Sequence, residues 1–379
     1  MRVTIIIASQ INRGTFFRGF YLSKYLAARG HAVTLLCSGK PGTKFRKERA
    51  SGFDILTLPS SDHMEKWLIT QLASVAISCI RNLVTSSDIV HVFQLAMPST
   101  LFVALFTSCF SRILPGKPRV YFDWDDLWGN GGILRDVGRF ASEAASIMEE
   151  KFLRLADGIT VVSEYLKERA SALGAKNIFL VPNGVNPDAL TQITKTEARR
   201  LLGKIGQGTI LCHVGFADFT HVWRSIEVSF PDVRLIVIGD PPRYNFRRLQ
   251  KVQHNRIIYT GRIPPEKMHI FLSAADILLL KTNNEISEKA RFPIRIGDYL
   301  AAGRPIVAGE IGEIEKIIAD SKCGLLYSPG DDEDFAAKIF ELLKVPSVWD
   351  EMGLRALSKA KELSWDNLAK RLEIIYSQA

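Results

Sequence analysis

The chain predicts an α/β fold built of two doubly wound, Rossmann-like domains. Three observations lead there. Short apolar strands alternate with helical patterns along almost all of the 379 residues, the grammar of parallel sheets with crossover helices. The alternation is interrupted by one cluster of turn formers, Val181-Pro-Asn-Gly-Val-Asn-Pro187. The length suits two domains, and 47% apolar residues are enough to bury two cores.

The elements follow in order. Val3 to Ala8 is an apolar run too short for a secretory signal and reads as a buried first strand. Gly19 to Arg29 places Phe20, Leu22, Leu26 and Ala27 at helical spacing. Further strands are expected at His31–Cys37, Phe53–Leu58, Asp88–Val92, Arg119–Phe122, Gly158–Val162 and Ile178–Val181. After the turn cluster the pattern resumes with strands at Thr209–Val214, Arg234–Ile238, Ile257–Tyr259, Ile277–Leu280, Pro305–Val307 and Gly324–Tyr327. Pro265–Ala274 and Asp332–Leu343 read as helices between them. The expected domains are 1–187 and 188–362, joined near residue 190. A last helix in 363–379 crosses back to brace the first domain. Ligands of such sheets sit at the carboxyl ends of strands, and here also in a cleft that the two domains face.

The formal charge is +9, and most of the surplus lies in the first half. Lys40, Lys44, Arg46, Lys47 and Arg49 form a local basic run. Such a patch suits anionic lipid headgroups, at about 1 kcal/mol per basic residue near the surface. It suits nucleic acid on charge alone, without any recognisable motif, and it equally describes a solvated loop. Trp67–Val84 and Leu101–Leu114 are apolar but broken by polar residues and arginine, so neither is expected to span a membrane. One end, Lys66-Trp67, suits a membrane interface. The five cysteines, Cys37, Cys79, Cys109, Cys212 and Cys323, form no close pairs. They argue against a disulfide framework or zinc site and for a reducing, cytoplasmic setting, with the inner face of the cell membrane within reach.

Ala290-Arg-Phe-Pro-Ile-Arg-Ile-Gly-Asp-Tyr-Leu-Ala-Ala-Gly-Arg-Pro-Ile-Val-Ala308 carries the most chemistry. On a helix, Arg291, Arg295 and Asp298 would share one face. Two guanidiniums at a helix start suit a diphosphate, and a carboxylate suits sugar hydroxyls. An amphipathic helix with a solvated charged face accounts for the same residues. The loop after the first strand, Ser9-Gln-Ile-Asn-Arg-Gly-Thr-Phe-Phe-Arg-Gly19, lacks Gly-x-Gly-x-x-Gly, and no Walker lysine loop occurs. Dinucleotide enzymes and nucleoside triphosphatases are therefore disfavoured.

A series of segments then falls in a recognisable order: Leu26-Ala-Ala-Arg-Gly-His-Ala-Val33, Asp88-Ile-Val-His-Val92, Ala156-Asp-Gly-Ile-Thr-Val-Val-Ser163 and Val181-Pro-Asn-Gly-Val185. Val237-Ile-Gly-Asp240, Tyr259-Thr-Gly-Arg262, Ala274-Ala-Asp-Ile277, Tyr299-Leu-Ala-Ala-Gly-Arg-Pro305 and Cys323-Gly-Leu-Leu-Tyr327 complete it. Over nearly its whole length the chain resembles the GT-B glycosyltransferases of the large retaining family numbered four. The resemblance implies a nucleotide-diphosphate sugar as donor substrate, held mainly by the C-terminal domain. It implies an acceptor, glycan or lipid-linked glycan, held by the N-terminal domain, with neither metal nor cofactor.

Three departures from the family pattern stand out. The family's two glutamates eight positions apart align with Ala290 and Asp298, and Glu288 is out of register. Asp298 is then assigned to the ribose hydroxyls. The family's basic pair after the first strand of the C-terminal domain is replaced by Gly215-Phe-Ala-Asp-Phe-Thr-His-Val-Trp-Arg224, leaving Arg291 and Arg295 for the diphosphate. The family's His-Asp step aligns with Asp123-Trp-Asp-Asp-Leu-Trp128, with Asp125 where the histidine would stand.

On this reading Arg291 and Arg295 stabilise the charge growing on the leaving diphosphate. Asp125 orients the acceptor or stabilises the sugar cation, unless Asp123, Asp125 and Asp126 only cap their loop. Gly14 lets the donor approach the backbone, or makes an ordinary turn. Arg13 and Arg18 are further diphosphate or acceptor candidates. Arg262 and Ile263 flank the base, and Phe292 lines the donor site. His91 and His213 read as structural. Trp124, Trp128 and Tyr121 suit either a sugar or polyprenyl contact or core packing. The rival readings are a nucleotide-sugar epimerase or hydrolase of the same fold, and a degenerate sugar-binding scaffold.

Overall fold

The computed structural model describes all residues except 41, 60–86, 112–117, 187–192, 216, 241–255 and 379. The expected Trp67–Val84 segment, Cys79 and the end of Leu101–Leu114 lie outside the described residues. Each strand expected from the sequence forms, with ends within two residues of the reading.

The chain divides into two compact units. Unit 1 comprises Met1–Asn183, Glu285–Phe292 and Trp365–Ala379; unit 2 comprises Gly184–Asn284 and Pro293–Ser364. The short segment Glu285–Phe292 thus packs with unit 1, although the sequence placed it inside the 188–362 span.

Unit 1 opens with β1 (Arg2–Gln10), α1 (Phe16–Ala28), β2 (Ala32–Ser38), β3 (Arg46–Ala50), β4 (Phe53–Leu58), β5 (Ile89–Phe93) and α2 (Pro98–Ser111). It continues with β6 (Arg119–Trp124), α3 (Arg139–Glu150), β7 (Gly158–Val161), α4 (Glu164–Ala172) and β8 (Ile178–Leu180). The sheet order is β3-β4-β2-β1-β5-β6-β7-β8, parallel except for β3. Central strands are apolar on both faces, as two-sided burial requires; in β1, Val3 to Ile7 are all buried. Gly19 brings α1 close to the sheet, since a Cβ there would meet Ile7 and Leu35 at 3.3 Å.

The basic run read as a patch or loop is partly a strand. β3 pairs antiparallel with β4 at the sheet edge, and Lys47 reaches Asp54 at 2.7 Å. Charged side chains on an edge strand discourage pairing with a second chain.

In unit 2, α5 (Lys195–Leu202), β9 (Thr209–Val214), α6 (Thr220–Ser229), β10 (Val233–Ile238), β11 (Ile257–Gly261), α7 (Met268–Ala274) and β12 (Ile277–Leu280) come first. The short α8 (Ile286–Ala290) belongs to unit 1. Unit 2 resumes with α9 (Ile294–Ala302), β13 (Ile306–Gly309), α10 (Gly312–Ser321), β14 (Gly324–Tyr327), α11 (Asp332–Lys344) and α12 (Trp349–Glu362). Its six strands run parallel in the order β11-β10-β9-β12-β13-β14. Gly303 ends α9 in the left-handed conformation at φ 62°, the usual glycine stop. Asp331 caps α11, accepting from the amides of Glu333 and Asp334.

The last helix, α13 (Trp365–Gln378), packs into the unit 1 core. Its buried stripe of Trp365, Leu368, Ala369, Leu372, Ile375 and Tyr376 joins Val3, Ile5, Leu22 and Leu26. Trp365 stacks on Tyr21, and the Tyr121 hydroxyl donates to the Ile375 carbonyl at 3.1 Å. Tyr121 is therefore a core residue.

A buried polar chain runs under this helix. Tyr376 Oη lies 2.6 Å from His91 Nδ1, and His91 Nε2 lies 2.9 Å from Thr160 Oγ1. Thr160 donates to Asp123 at 2.5 Å. Burial pushes the His91 imidazole down to about 4 from an ordinary 6.5. Below pH 6.5 the unfolded chain gains a proton that the folded chain refuses, so this histidine lowers stability as pH falls from 6.5 towards 4. His91→Gln should flatten that part of the stability profile, measured as urea midpoint against pH. An unchanged slope would show that other groups control it.

Candidate active site

In unit 1 the chemistry gathers where β1 and β6 end. The loop after β1 turns through Asn12 and Gly14, both at positive φ, the latter at +52°. This turn presents Thr15, whose hydroxyl donates to Asp125 at 2.5 Å. Asp125 is buried, and burial together with the charges of Asp126 and Asp123 raises its carboxyl to about 8. It therefore holds its proton at neutral pH and ties the β6 loop to the β1 loop. Asp126, next along, is half-buried and has no hydrogen bond or ion pair among the described residues. Burial raises it to about 6, opposed by the nearby Arg291 charge. Of the three aspartates, Asp126 presents the carboxylate that is ionised and unpartnered.

Asp123 is committed elsewhere. Its two oxygens take Nε and Nη2 of Arg18 at 3.0 and 2.7 Å. Arg18 also donates to the carbonyls of Val181 and Pro182 and to Asn183 Oδ1. Both side chains are almost fully buried. The candidate role of Arg18 in binding diphosphate or acceptor is thus corrected: every side of its guanidinium is occupied by protein. Arg13 lies exposed in the preceding loop. Trp124 is buried with Phe122 in the core, while Trp128 is half-buried.

The Ala290–Ala308 stretch departs from the sequence reading at one point. Arg291 does not share a helical face with Arg295 and Asp298. It follows α8 in extended conformation, at φ −92° and ψ 159°, and α9 begins only at Ile294. Pro293 disfavours helical backbone at Phe292, so no helix runs from Arg291 into α9. Arg291 belongs to unit 1 and Arg295 to unit 2. Arg291 Nε donates to Glu288 at 3.1 Å, so its charge is largely neutralised by the acid that stood out of register. Phe292 is buried, and its carbonyl accepts from Asn183 Nδ2 at 2.9 Å. Ala290 is buried too, with its carbonyl taking the Ser163 hydroxyl at 2.6 Å.

In unit 2 the carboxyl end of β9 carries a cationic notch. Arg295 Nη1 donates to the Val214 carbonyl at 2.5 Å. Among the described residues it has no acidic partner. The space it fills exists because residue 215 is glycine at φ +101°; a Cβ there would stand 2.7 Å from Nη1. Below it, His213 is fully buried and donates from Nδ1 to the Leu279 carbonyl at 2.8 Å. Burial and the Arg295 charge push this histidine down to about 3, so it is neutral. Its Nε2 has no partner among the described residues. One turn along α9, Asp298 is half-buried, with no hydrogen bond or ion pair among the described residues, and burial raises it to about 6. After β11, Arg262 is exposed; its amide and guanidinium meet Asp240 at 2.9 and 3.3 Å. Ile263 beside it is half-buried.

Among the described residues no group of three or more His, Cys, Asp or Glu is placed to hold a metal. No described helix is long and apolar enough to cross a membrane.

Known proteins share this fold. The family described as Glycosyltransferase Family 4 matches residues 20–189, and Glycosyl transferases group 1 matches residues 208–345. N-acetyl-alpha-D-glucosaminyl L-malate synthase of Bacillus anthracis is 24% identical, over 94% of this chain and 92% of that protein. Sucrose-phosphate synthase of Thermosynechococcus elongatus superposes with a TM-score of 0.77 at 18% identity, over 100% of this chain and 99% of that one. Anabaena HepE, solved in complex with UDP, gives 0.69 at 13% identity and full coverage of both chains. With a glycosyltransferase match in each unit and a shared two-sheet fold, the chain belongs to the GT-B glycosyltransferases, among those like family 4.

Proposed function

We propose that the chain transfers a sugar from a nucleotide-diphosphate sugar to the hydroxyl of a glycan or lipid-linked acceptor, with retention of anomeric configuration. The observation that carries the donor half is Arg295: a guanidinium without an acidic partner among the described residues, seated at the glycine end of β9. A diphosphate supplies the missing anion and matches the guanidinium fork. Asp298 lies one turn further along α9 and accepts from ribose hydroxyls once ionised. Arg262 and Ile263 flank the base. UDP is the first nucleotide to try, because HepE was solved with it.

The acceptor half rests on Asp126, with Asp125 and Gly14 shaping its surroundings and Arg291 biasing it towards the ionised form. As the diphosphate leaves, charge grows on its oxygen, and Arg295 meets that charge without having to reorganise. The same reading needs no resident cofactor and no metal, and places the protein in the cytoplasm, with the basic edge strand β3 available to an anionic membrane face.

A thermal-shift panel of nucleoside diphosphates and their sugars tests the donor half. One nucleotide should raise the Tm, and Asp298→Ala should abolish the rise without lowering the Tm of the free protein by more than a few degrees. A panel in which no nucleotide stabilises the parent chain would overturn the reading. The acceptor half is tested with that donor and a panel of L-malate, a hexose phosphate and a short lipid-linked saccharide, following UDP release and product anomer.

A further inference from the structure

Helix α3 has two polar habits. Its outward side chains, among them Arg139 and Glu143, are exposed; Ser142, Ser146 and Glu149 are buried. The three buried residues follow helical spacing and form one stripe. They face the loop that continues from Asp125 and Asp126. Glu149 accepts from two successive amides, Trp128 at 3.0 Å and Gly129 at 2.8 Å. Ser146 Oγ accepts from the next amide, Asn130, at 2.7 Å. Ser142 reaches the Asn130 side chain at 3.5 Å. Residue 129 can only be glycine here, because a Cβ would fall 2.0 Å from Ser146 Oγ and 2.6 Å from its Cα. Burial raises the Glu149 carboxyl to about 7, opposed by its hydrogen bonds from the Gly129 and Trp128 amides, so charging it at this depth is costly. A hydrophobic residue would pack the same helix more cheaply, so stability alone does not account for it.

We propose that Glu149, with Ser146, is a positioning residue for glycosyl transfer: it grips the 128–130 backbone and so holds Asp125 and Asp126 in place for the acceptor. The inference rests on the acceptor-side reading of those aspartates. The carboxylate accepts two amides in a fork, which fixes the loop's direction as well as its distance. Glu149 is almost fully buried, so it does not itself reach substrate.

The test is turnover with UDP-glucose, or the UDP-sugar that the thermal panel selects, and the accepting alcohol of the second panel. Where none accepts, UDP release to water is read instead. Glu149→Gln opposes one loop amide with an NH2 group and should lower kcat about tenfold, the equivalent of roughly one hydrogen bond lost in the productive state. Ser146→Ala should lower it about threefold on the same reasoning. UDP affinity, a property of unit 2, should stay within twofold in both. Glu143→Gln, on the exposed side of α3, should match the parent. Hydrogen exchange at 128–130 should speed up in Glu149→Gln. Should Glu149→Gln fail to fold, Ser146→Ala decides alone. Parent-level turnover in the folded variants, or a loss of turnover matched by a loss of UDP binding, would overturn the inference. Asp126→Asn separates the two levels: if it also leaves turnover intact, the acceptor-side reading has failed, whereas a slow Asp126→Asn beside parent-like Glu149→Gln and Ser146→Ala sinks the positioning role alone.

Discussion

Arg295→Ala is expected to reduce turnover by about 10²- to 10³-fold, the usual consequence of removing one preorganised group from a developing negative charge. The side chain is held in place before any ligand arrives: Nη1 is anchored on the Val214 carbonyl, and Gly215 leaves room for it. Among the described residues its charge has no acidic neighbour to release first. Arg291 differs, because Glu288 already takes its charge; Arg291→Ala should cost less, and mainly on the acceptor side through Asp126. Arg295→Lys keeps the charge and loses the fork, so its turnover should fall between parent and alanine variant. Gly215→Ala should mimic Arg295→Ala, because the new methyl needs the space of Nη1 and the backbone there sits at φ +101°. Nucleoside-diphosphate affinity and single-turnover rates measure both effects. If Arg295→Ala binds UDP and turns over like the parent, the diphosphate is held by other groups and the notch is structural.

Asp123→Asn should lower the unfolding free energy by about 3–5 kcal/mol, the cost of leaving one member of a buried ion pair uncompensated. Arg18 is 1% exposed and Asp123 0%, so water cannot take the place of the lost charge. Asn keeps one acceptor oxygen of the two, so Arg18 or Thr160 loses an acceptor and meets an NH2 group as well. The double variant Arg18→Met with Asp123→Leu should be more stable than the sum of the single changes, since neither charge is then stranded. Urea unfolding at neutral pH gives these numbers directly. An Asp123→Asn chain that unfolds at the parent midpoint would show that the pair contributes little. Activity should fall with stability here, because the same pair fixes the end of β6 from which Asp125 and Asp126 emerge.

The fold was legible because its signals are local. Apolar runs of about four to seven residues, bounded by turn formers and alternating with helical spacing, read as strands of a buried parallel sheet. β3 escaped because it is an edge strand: Arg46-Lys-Glu-Arg-Ala50 carries no apolar face, and its pairing with β4 is a tertiary fact. Arg291 was misplaced because spacing alone put it on the helix, although Pro293, two residues later, marks a start rather than an interior. That signal was present in the sequence. Glu149 had no such signal, since a glutamate in an amphipathic helix reads as solvated until its neighbours are known.

By itself, then, the sequence determined the two α/β units, all their strands but β3, and the family. Each follows from residue type and spacing along the chain. Only the tertiary structure decided which charges are free. Arg18, Arg291 and Arg295 are the same residue type, yet Asp123 pairs with the first, Glu288 with the second, and no acidic group among the described residues with the third. The balance of a charge depends on what lies within about 4 Å of it, where coulombic attraction in a poorly hydrated site is strongest, and for Arg18 that neighbour is more than a hundred positions away in the chain.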